Sequence, residues 1–318
     1  MQQRLFSYDD ICLIPKYSEL NSRSNGDTSI KFLGQKWKLP VVPANMQDVI
    51  SWSIADTIYN DGYFYIMHRF DGANKKIPPL RQHDDCKFVH ISVGVNDESK
   101  REYEALFDHD TIPIITTIDV AHGHHKKVKE MVDFIRPGLK KRIKDGFIIA
   151  GNVATADGYK FLCDLGVDAV KVGIGGGSIC TTRYKTGFHV PTAYAVWDCA
   201  TNGDRDIPII ADGGAKHFGD VAKALVLGAD MVMAGRWFAE CIDSPAQIEH
   251  GHKIYRGSTS FQAKGHNNHI EGQTLEIERA CTYKDRLMEI QQAIQSSISY
   301  AGGTDLSAFN NVEWRLCH

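Results

Sequence analysis

Cysteine 180 stands in the most unusual stretch of the 318-residue sequence, KVGIGGGSICTTR, which runs from Lys171 to Arg183. Glycines suit a loop that adopts unusual backbone angles and lets a ligand approach the backbone closely. A cysteine presented by such a loop predicts a nucleophile that bonds covalently to its substrate. The alternative is a small buried apolar residue, which is the usual role of cysteine and our interpretation of the other seven.

Polar or glycine-rich sequence also follows other short apolar runs. Such residues occur after five runs: Asn45 with Met46, Asp119, Asn152, Asp212 with Gly213 and Gly214, and Gly235 with Arg236. In parallel barrels the loops at the strand carboxyl ends converge on one pocket and carry the chemistry. The alternative is that these glycines only make tight turns.

Two of these loops, 212–214 and 235–236, follow the last two predicted strands and predict a phosphate cradle of backbone N–H groups. Ser178 and Tyr255 are candidates for additional hydroxyl donors. The alternative interpretation of Asp212 is a residue that stabilises its own turn. The alternative interpretation of Arg236 is a cation on the protein surface.

The elements that position these residues alternate between apolar runs and amphipathic segments. Residues 125–135, 156–165 and 218–227 are examples of predicted helices. The alternation predicts an α/β fold, a (β/α)8 TIM barrel in a single domain over residues 1–318, with an open doubly wound sheet as the alternative. The predicted strands are Val41–Ala44, Tyr63–Met67, Phe88–Val93, Ile112–Ile118, Phe147–Ala150, Ala169–Val172, Ile207–Ala211 and Met231–Ala234.

Composition excludes several classes of protein. A formal net charge of −3 without a basic run argues against a nucleic-acid partner. No apolar stretch has the ~20 residues of a membrane helix, and the N-terminus lacks a signal-peptide core.

Eight cysteines without a CxxC pair indicate a reduced, cytoplasmic protein. The histidines at 122, 124 and 125 lack a nearby carboxylate at ligand spacing and favour solvent contact over metal binding.

The motifs together resemble the IMP dehydrogenase/GMP reductase family. The catalytic loop is one of them, and the others follow in family order over almost the whole chain: Tyr8–Pro15, Leu39–Met46, Gly151–Thr155, Ile210–Gly214 and Tyr255–Ser258. The sequence departs from the family at Gly176, where the family usually has proline, and at Arg236, where a small residue is more usual.

The resemblance implies a role for each candidate residue. Cys180 would attack C2 of a purine nucleotide, with Thr182 and Glu271 as a proton relay. Asp119 and Asn152 would contact a nicotinamide cofactor, NADPH. A monovalent cation, K⁺, would lie at Gly175, Gly177 and Cys180, and the assembly would be a homotetramer. The substrate would contact Asn45, Met46, Arg69, Ser178, Asp212, Gly213, Gly214, Gly235, Arg236, Gly257 and Ser258.

Two features favour the reductase branch of the family. Only a short stretch, residues 71–87, lies between the second and third predicted strands, so the regulatory CBS insert of most dehydrogenases is expected to be absent. The mobile flap, residues 257–271, lacks the Arg-Tyr pair that activates water in dehydrogenases. The segment at 270–274 resembles the Glu-Gly-Lys of reductases, and residues 297–303 also resemble that branch.

The expected reaction is therefore the NADPH-dependent reductive deamination of GMP to IMP and ammonia, through a covalent thioimidate on the cysteine. A compact IMP dehydrogenase without CBS domains is one alternative. A purine-nucleotide sensor without turnover is the other.

Overall fold

The computed structural model describes residues 4–70, 72, 74, 87–107, 111–142, 146–204, 206–258, 260 and 270–317. The strands are β1 Ile11–Leu13, β2 Ile30–Phe32, β3 Gln35–Trp37, β4 Val41–Pro43, β5 Lys87–Val93, β6 Thr111–Asp119, β7 Phe147–Val153, β8 Ala169–Val172, β9 Ile209–Asp212, β10 Met231–Ala234, β11 Ile248–Glu249, β12 His252–Arg256, β13 Thr274–Ile277 and β14 Trp314–Leu316. The α-helices are α1 Trp52–Asn60, α2 Asp97–Phe107, α3 Lys126–Arg142, α4 Ala156–Asp164, α5 Thr182–Thr186, α6 Thr192–Asn202, α7 Gly219–Val226, α8 Arg236–Ala239 and α9 Tyr283–Tyr300.

Seven strands form one parallel sheet in the order β4-β10-β9-β8-β7-β6-β5. The first and last of these strands along the chain, β4 and β10, are hydrogen-bonded neighbours. A doubly wound sheet starts near its middle and grows outward, so it does not bond its first strand to its last. The prediction of a (β/α)8 barrel is confirmed.

The segment predicted as the second strand, residues 63–67, is not a regular strand. Residues 64–67 are buried, and the Met67 N–H donates to His90 O of β5 at 3.0 Å. The other hydrogen bonds between this segment and β5 in the described residues involve side chains: the Tyr65 carbonyl lies 3.0 Å from the His90 imidazole, and the His90 N–H donates to the Tyr65 hydroxyl at 3.3 Å. The Tyr63 N–H donates to Ile58 O of α1 at 2.9 Å. Side-chain hydrogen bonds replace the ladder here, so the eighth barrel position is occupied by an irregular extended segment.

The barrel strands are short and apolar because both of their faces are covered. Every residue of β8 and β10 is buried. Helices begin at side-chain caps, as where the Thr155 hydroxyl accepts from Gly158 N ahead of α4 and Ser51 caps α1. The predicted helices at 156–165 and 218–227 correspond to α4 and α7, and the helix predicted from residue 125 begins at Lys126 as α3.

In the described residues three smaller sheets lie outside the barrel, and one of them is the antiparallel pair of β2 with β3. The pair of β1 with β14 joins the two ends of the described chain, and the antiparallel sheet β11-β12-β13 carries residues 270–273 toward the catalytic loop. In the described part of the chain, no helix combines the length and apolar character that crossing a bilayer requires.

Candidate active site

Cys180 lies in the loop between β8 and α5, where it is half-buried. The loop turns back on itself because the Cys180 N–H donates to Gly177 O at 3.1 Å. The Cys180 Sγ is 3.1 Å from the Thr182 hydroxyl oxygen, and that hydroxyl donates to Glu271 Oε2 at 2.7 Å. The three predicted catalytic side chains therefore form one continuous hydrogen-bonded chain from sulfur to carboxylate.

Backbone hydrogen bonds hold Glu271 against the cysteine loop. Thr181 N donates to Glu271 O at 2.7 Å, and Gln273 N donates to Ile179 O at 3.0 Å. The Gln273 amide adds a bond to Ser178 O at 3.2 Å. Residues 92 positions apart in sequence thus keep their register through a short antiparallel bridge between Cys180 and Gly272. The Cys180–Thr182–Glu271 chain therefore does not depend on side-chain contacts alone.

Glycines allow the cysteine loop to lie directly on the loop after β9. Gly173 has a φ of +147°, and a Cβ built on it would lie 2.1 Å from Asp212 O. Gly213 has a φ of +81°, and its Cβ would lie 3.0 Å from Gly177 N. Only glycine fits these positions without moving the backbone. The predicted cysteine loop and the predicted phosphate loop are therefore in contact.

A side chain on helix α6 explains why position 176 has glycine where the family usually has proline. A Cβ at position 176 would lie 2.3 Å from Thr192 Oγ1. Thr192 is itself buried, and its hydroxyl is one of the buried side-chain polar atoms without a hydrogen-bond partner among the described residues. The proline that is usual in the family would collide with this hydroxyl, so the two positions are sterically coupled.

A buried ammonium joins several of the predicted binding residues. Lys171 of β8 is 2% exposed, and its Nζ donates to Asp119 Oδ1 at 2.9 Å, Asp212 Oδ2 at 3.2 Å and Asn45 Oδ1 at 3.3 Å. The Asn152 amide also donates to Asp212 Oδ2, at 2.8 Å, and to Gly173 O, at 2.8 Å. Residues predicted separately as substrate and cofactor ligands therefore share one polar network.

Arg69 lies at the outer side of the same network. Its Nε is 3.7 Å from Asp119 Oδ2, and its guanidinium lies over the Phe70 ring. Burial by itself would raise the pKa of Asp119, but the Lys171 and Arg69 cations outweigh burial and hold that pKa below its usual value. Burial likewise opposes the charge of Lys171, yet Asp119 and Asp212 raise the pKa of its ammonium above the ordinary range. Asp119 and Lys171 therefore stabilise each other in their charged forms.

Gly235 and Met46 meet at the buried Tyr255. A Cβ on Gly235 would lie 2.1 Å from Tyr255 Oη, and this hydroxyl donates to Met46 Sδ at 3.6 Å. Burial raises the pKa of Tyr255, and the charges of Asp212 and Asp48 add to the effect, so the phenol keeps its proton. The Tyr255 hydroxyl therefore lies directly beside the glycine loop that follows β10.

The segment that leads to the flap is tied to the barrel by Asp48. Arg256 Nε and a terminal guanidinium nitrogen donate to the two Asp48 carboxylate oxygens at 3.0 and 2.6 Å, and the Arg256 N–H adds a third bond. Gly257 follows, packed so closely on Gly272 that a Cβ would lie 2.9 Å from its Cα. Of the predicted flap, the structure describes 257, 258, 260 and 270–271, and the rest lies outside the described residues.

Other predicted residues lie at the edge of this constellation. Ser178 is exposed and Ser258 half-buried. Arg236 Nε donates to Glu240 Oε1 at 2.8 Å, and its side chain borders an open cleft lined also by His252, Glu276 and Arg279. The phosphate role of Arg236 stays a prediction. So does the cation site: Gly175 packs against the His189 ring, and the Gly177 carbonyl already accepts from Cys180 N.

Sequence reasoning missed Lys171, Asp48, Arg256 and Thr192 as parts of the site. Lys171 had a visible signal, since a lysine inside an otherwise apolar strand is rarely buried unless it is paired. The Asp48–Arg256 pair joins residues 208 positions apart, and the Thr192 contact depends on the approach of two loops. No local pattern could have indicated these two.

Comparison with known proteins shows the family of the chain. The model of the IMP dehydrogenase / GMP reductase domain matches residues 5–314. The chain belongs to this family, and both activities in that description are oxidoreductions.

Similar proteins include the GMP reductases of Bacillus subtilis, Lactococcus lactis and Lysinibacillus sphaericus. The B. subtilis protein is 43% identical over 98% of this chain and 96% of its own length. The L. lactis subsp. cremoris (strain MG1363) protein is 42% identical over 98% of this chain and 94% of its own length. The L. sphaericus protein is 44% identical over 98% of this chain and 95% of its own length. The likeness therefore extends over nearly the whole of each chain.

Proposed function

We propose that the chain is a GMP reductase, which converts GMP, with NADPH as reductant, to IMP and ammonia. The observation that carries this proposal is the Cys180–Thr182–Glu271 chain, with 3.1 and 2.7 Å between its successive atoms. A nucleophile, a hydroxyl relay and a carboxylate are the groups needed to replace an amino group on an aromatic carbon. The names of the relatives point to the same reaction.

The proposed first step forms the Cys180 Sγ–C2 bond and breaks the bond from C2 to the amino nitrogen of GMP. The thiol proton passes through the Thr182 hydroxyl to Glu271, along the hydrogen bonds already in place. Glu271 then returns a proton through the same hydroxyl to the amino group, which leaves as ammonia. The products are a covalent thioimidate on Cys180 and free ammonia.

In the second step NADPH, when bound, supplies hydride to C2. Cys180 leaves as the C–S bond breaks, and IMP is released. The residues around the sulfur set the geometry, because the bridge between 180 and 272 fixes the thiol relative to the carboxylate. General acid–base help of this kind contributes about 10²–10⁴ in rate.

Substrate binding is proposed on the walls around this loop. Asp212 accepts from the ribose hydroxyls, and the phosphate lies on the N–H groups of 213, 214 and 235 with Ser178, Arg236 and the Tyr255 hydroxyl nearby. The base is flanked by Asn45, Met46, Arg69, Gly257 and Ser258. The contact of Gly213 with Gly177 supports this placement, because it brings the phosphate loop beside the cysteine loop.

Cofactor and assembly belong to the same proposal. Asp119 suits a cofactor hydroxyl, since its carboxylate is ionised and partly open to solvent. Asn152 would act beside it, although its amide already holds Asp212 and Gly173. We further propose K⁺ at 175, 177 and 180, a cytoplasmic homotetramer in purine salvage, and a single barrel domain without a CBS insert.

A steady-state screen tests the reaction. GMP, dGMP and IMP are each supplied with NADPH, NADH or NAD, while ammonia and nicotinamide absorbance are followed. NADPH oxidation with GMP and stoichiometric ammonia supports the proposal. NAD reduction with IMP would instead show the compact dehydrogenase, and nucleotide binding without turnover would show the sensor.

A further inference from the structure

The Lys171 ammonium bridges two carboxylates that the proposed reaction assigns to different ligands. Asp119 at the end of β6 is proposed for the cofactor, and Asp212 at the end of β9 for the nucleotide ribose. The ammonium lies between them at 2.9 and 3.2 Å, with Asn45 Oδ1 as a third acceptor at 3.3 Å. Three oxygen acceptors thus match the three protons of the ammonium, and the weaker acceptor Met233 Sδ lies 3.9 Å away.

We propose that Lys171 is a positioning residue that couples the nucleotide subsite to the cofactor subsite by holding Asp119 and Asp212 at fixed positions. This inference rests on the proposed function, because that function gives the two carboxylates their separate ligands. Lys171 itself is too deeply buried to be a surface contact for either molecule, with 2% of its side chain exposed.

Stability alone is a weak explanation for this arrangement. A buried ion pair gains little net stability, since desolvation opposes the attraction of the charges. Lys171 lies in β8, whose other residues are apolar and buried, and a hydrophobic residue at this position would pack without that penalty. The cost is offset only if the charges have another use, and both partners lie at the strand ends where ligands bind in barrels.

Arg69, Asp119, Lys171 and Asp212 form a row of charges, called here the Lys171 row, in which the sign alternates. Arg69 lies 3.7 Å from Asp119, which contacts Lys171, which contacts Asp212. Among the described residues, the titratable groups that face the row from other elements include Arg69 after residues 63–67 and Tyr255 on β12. Because each charge is held by the next, a change at Asp119 alters the partner of Asp212, and removal of Lys171 leaves both carboxylates without their common cation.

Removal of the ammonium is the principal test. In Lys171→Met the side chain keeps a similar length without charge, and we expect kcat/KM to fall about 100-fold through misplaced ligands. The KM values for GMP and NADPH should rise together. The acid limb of the pH profile should move to higher pH, because burial raises the pKa of Asp119 once the opposing Lys171 charge is gone.

Lys253 provides a matched control. It is also buried, at 1% exposed, but in the described part of the chain its Nζ donates to oxygens of Ser244 and Ala246, which are neutral. Lys253→Met should lower the unfolding temperature and leave the KM values and the acid limb unchanged. The same pattern in a folded Lys171→Met would show a purely structural lysine and overturn the proposal.

A binding cycle keeps the test valid if Lys171→Met does not fold. Asp119→Asn removes only the cofactor-side partner, yet GMP binding measured by calorimetry without cofactor should weaken about three- to tenfold. Lys171→Arg keeps the positive charge but changes the shape of the group that carries it. This variant should bind both GMP and NADPH more weakly, while the acid limb of the pH profile stays at the wild-type pH. Unchanged GMP binding in Asp119→Asn would contradict the coupling.

The two proposals fail separately in these experiments. Wild-type turnover of GMP with NADPH decides the reaction. The binding of GMP to the variants, which needs no turnover, decides the role of Lys171. A wild type that binds GMP with the expected coupling but releases no ammonia would overturn the reaction alone.

Discussion

The cysteine loop and the Lys171 row are adjacent along the chain but are held in different ways. Cys180, Thr182 and Glu271 are half-buried and joined in series by single hydrogen bonds. Lys171 is fully buried, and two ion pairs fix it. Groups that exchange protons with a ligand need access to it, whereas groups that hold charges in place gain from a low-dielectric surrounding. Substitutions in the loop should therefore lower kcat, and substitutions in the row should raise KM.

The largest effect is expected at the sulfur. Cys180→Ser replaces the nucleophile with a hydroxyl that is far less reactive at neutral pH, and kcat should fall about 10⁴-fold. Cys163→Ser is the control, since that half-buried thiol lies in α4. Single-turnover kinetics with GMP and NADPH measure both variants, and a Cys180→Ser enzyme within tenfold of wild type would refute the comparison.

Glu271→Gln should lower kcat by about 10²–10⁴ while the KM for GMP changes little. The amide keeps the hydrogen bond to the Thr182 hydroxyl but cannot take the proton. Glu276→Gln, an exposed carboxylate on β13, is the matched control. An effect confined to KM would place Glu271 with the binding residues instead.

A smaller effect should follow from overpacking the loop. Gly176→Pro places a Cβ 2.3 Å from Thr192 Oγ1, and the displaced loop should lose about tenfold in kcat/KM. Thr192→Ala removes the obstacle and should restore most of the activity in the double variant. Full activity of Gly176→Pro with Thr192 intact would show that the two positions are independent.

The smallest effect is expected outside both regions. The Arg236 guanidinium is about half exposed and paired with Glu240, so Arg236→Ser should raise the KM for GMP only about threefold. Initial rates at varied GMP decide the matter. A rise above about 100-fold would mean that this side chain turns into the phosphate cradle when the nucleotide binds.

The parts of the molecule that could be predicted from sequence are those with a local signature. Apolar runs located seven barrel strands, and the glycine-rich loop identified Cys180 with its Thr182 neighbour. The second predicted strand, residues 63–67, was wrong as a regular strand because Tyr65 and His90 use side chains in most of the hydrogen bonds to β5, an exchange that no periodicity reveals. Burial lowers the pKa of that histidine to about 4, so it stays neutral in the core.

Pairings between residues far apart in the chain could not be predicted from the sequence for a physical reason. The Asp48–Arg256 pair and the Gly176–Thr192 contact depend on how loops from different parts of the barrel meet. The meeting of Glu271 with Thr182 was anticipated only through the family resemblance, because 89 residues separate them. Lys171 was inside the quoted motif, yet its role became visible only when its three acceptors converged.

The most direct test of the covalent mechanism is the mass of the peptide that contains Cys180. Wild-type protein is mixed with GMP without reductant, quenched in acid and digested, with Glu271→Gln treated in parallel. We expect the wild-type peptide to carry the mass of GMP less ammonia on Cys180, and the variant peptide to carry little of it. An unmodified Cys180 in the wild-type protein mixed with GMP, together with activity that survives Cys180→Ser, would contradict the account.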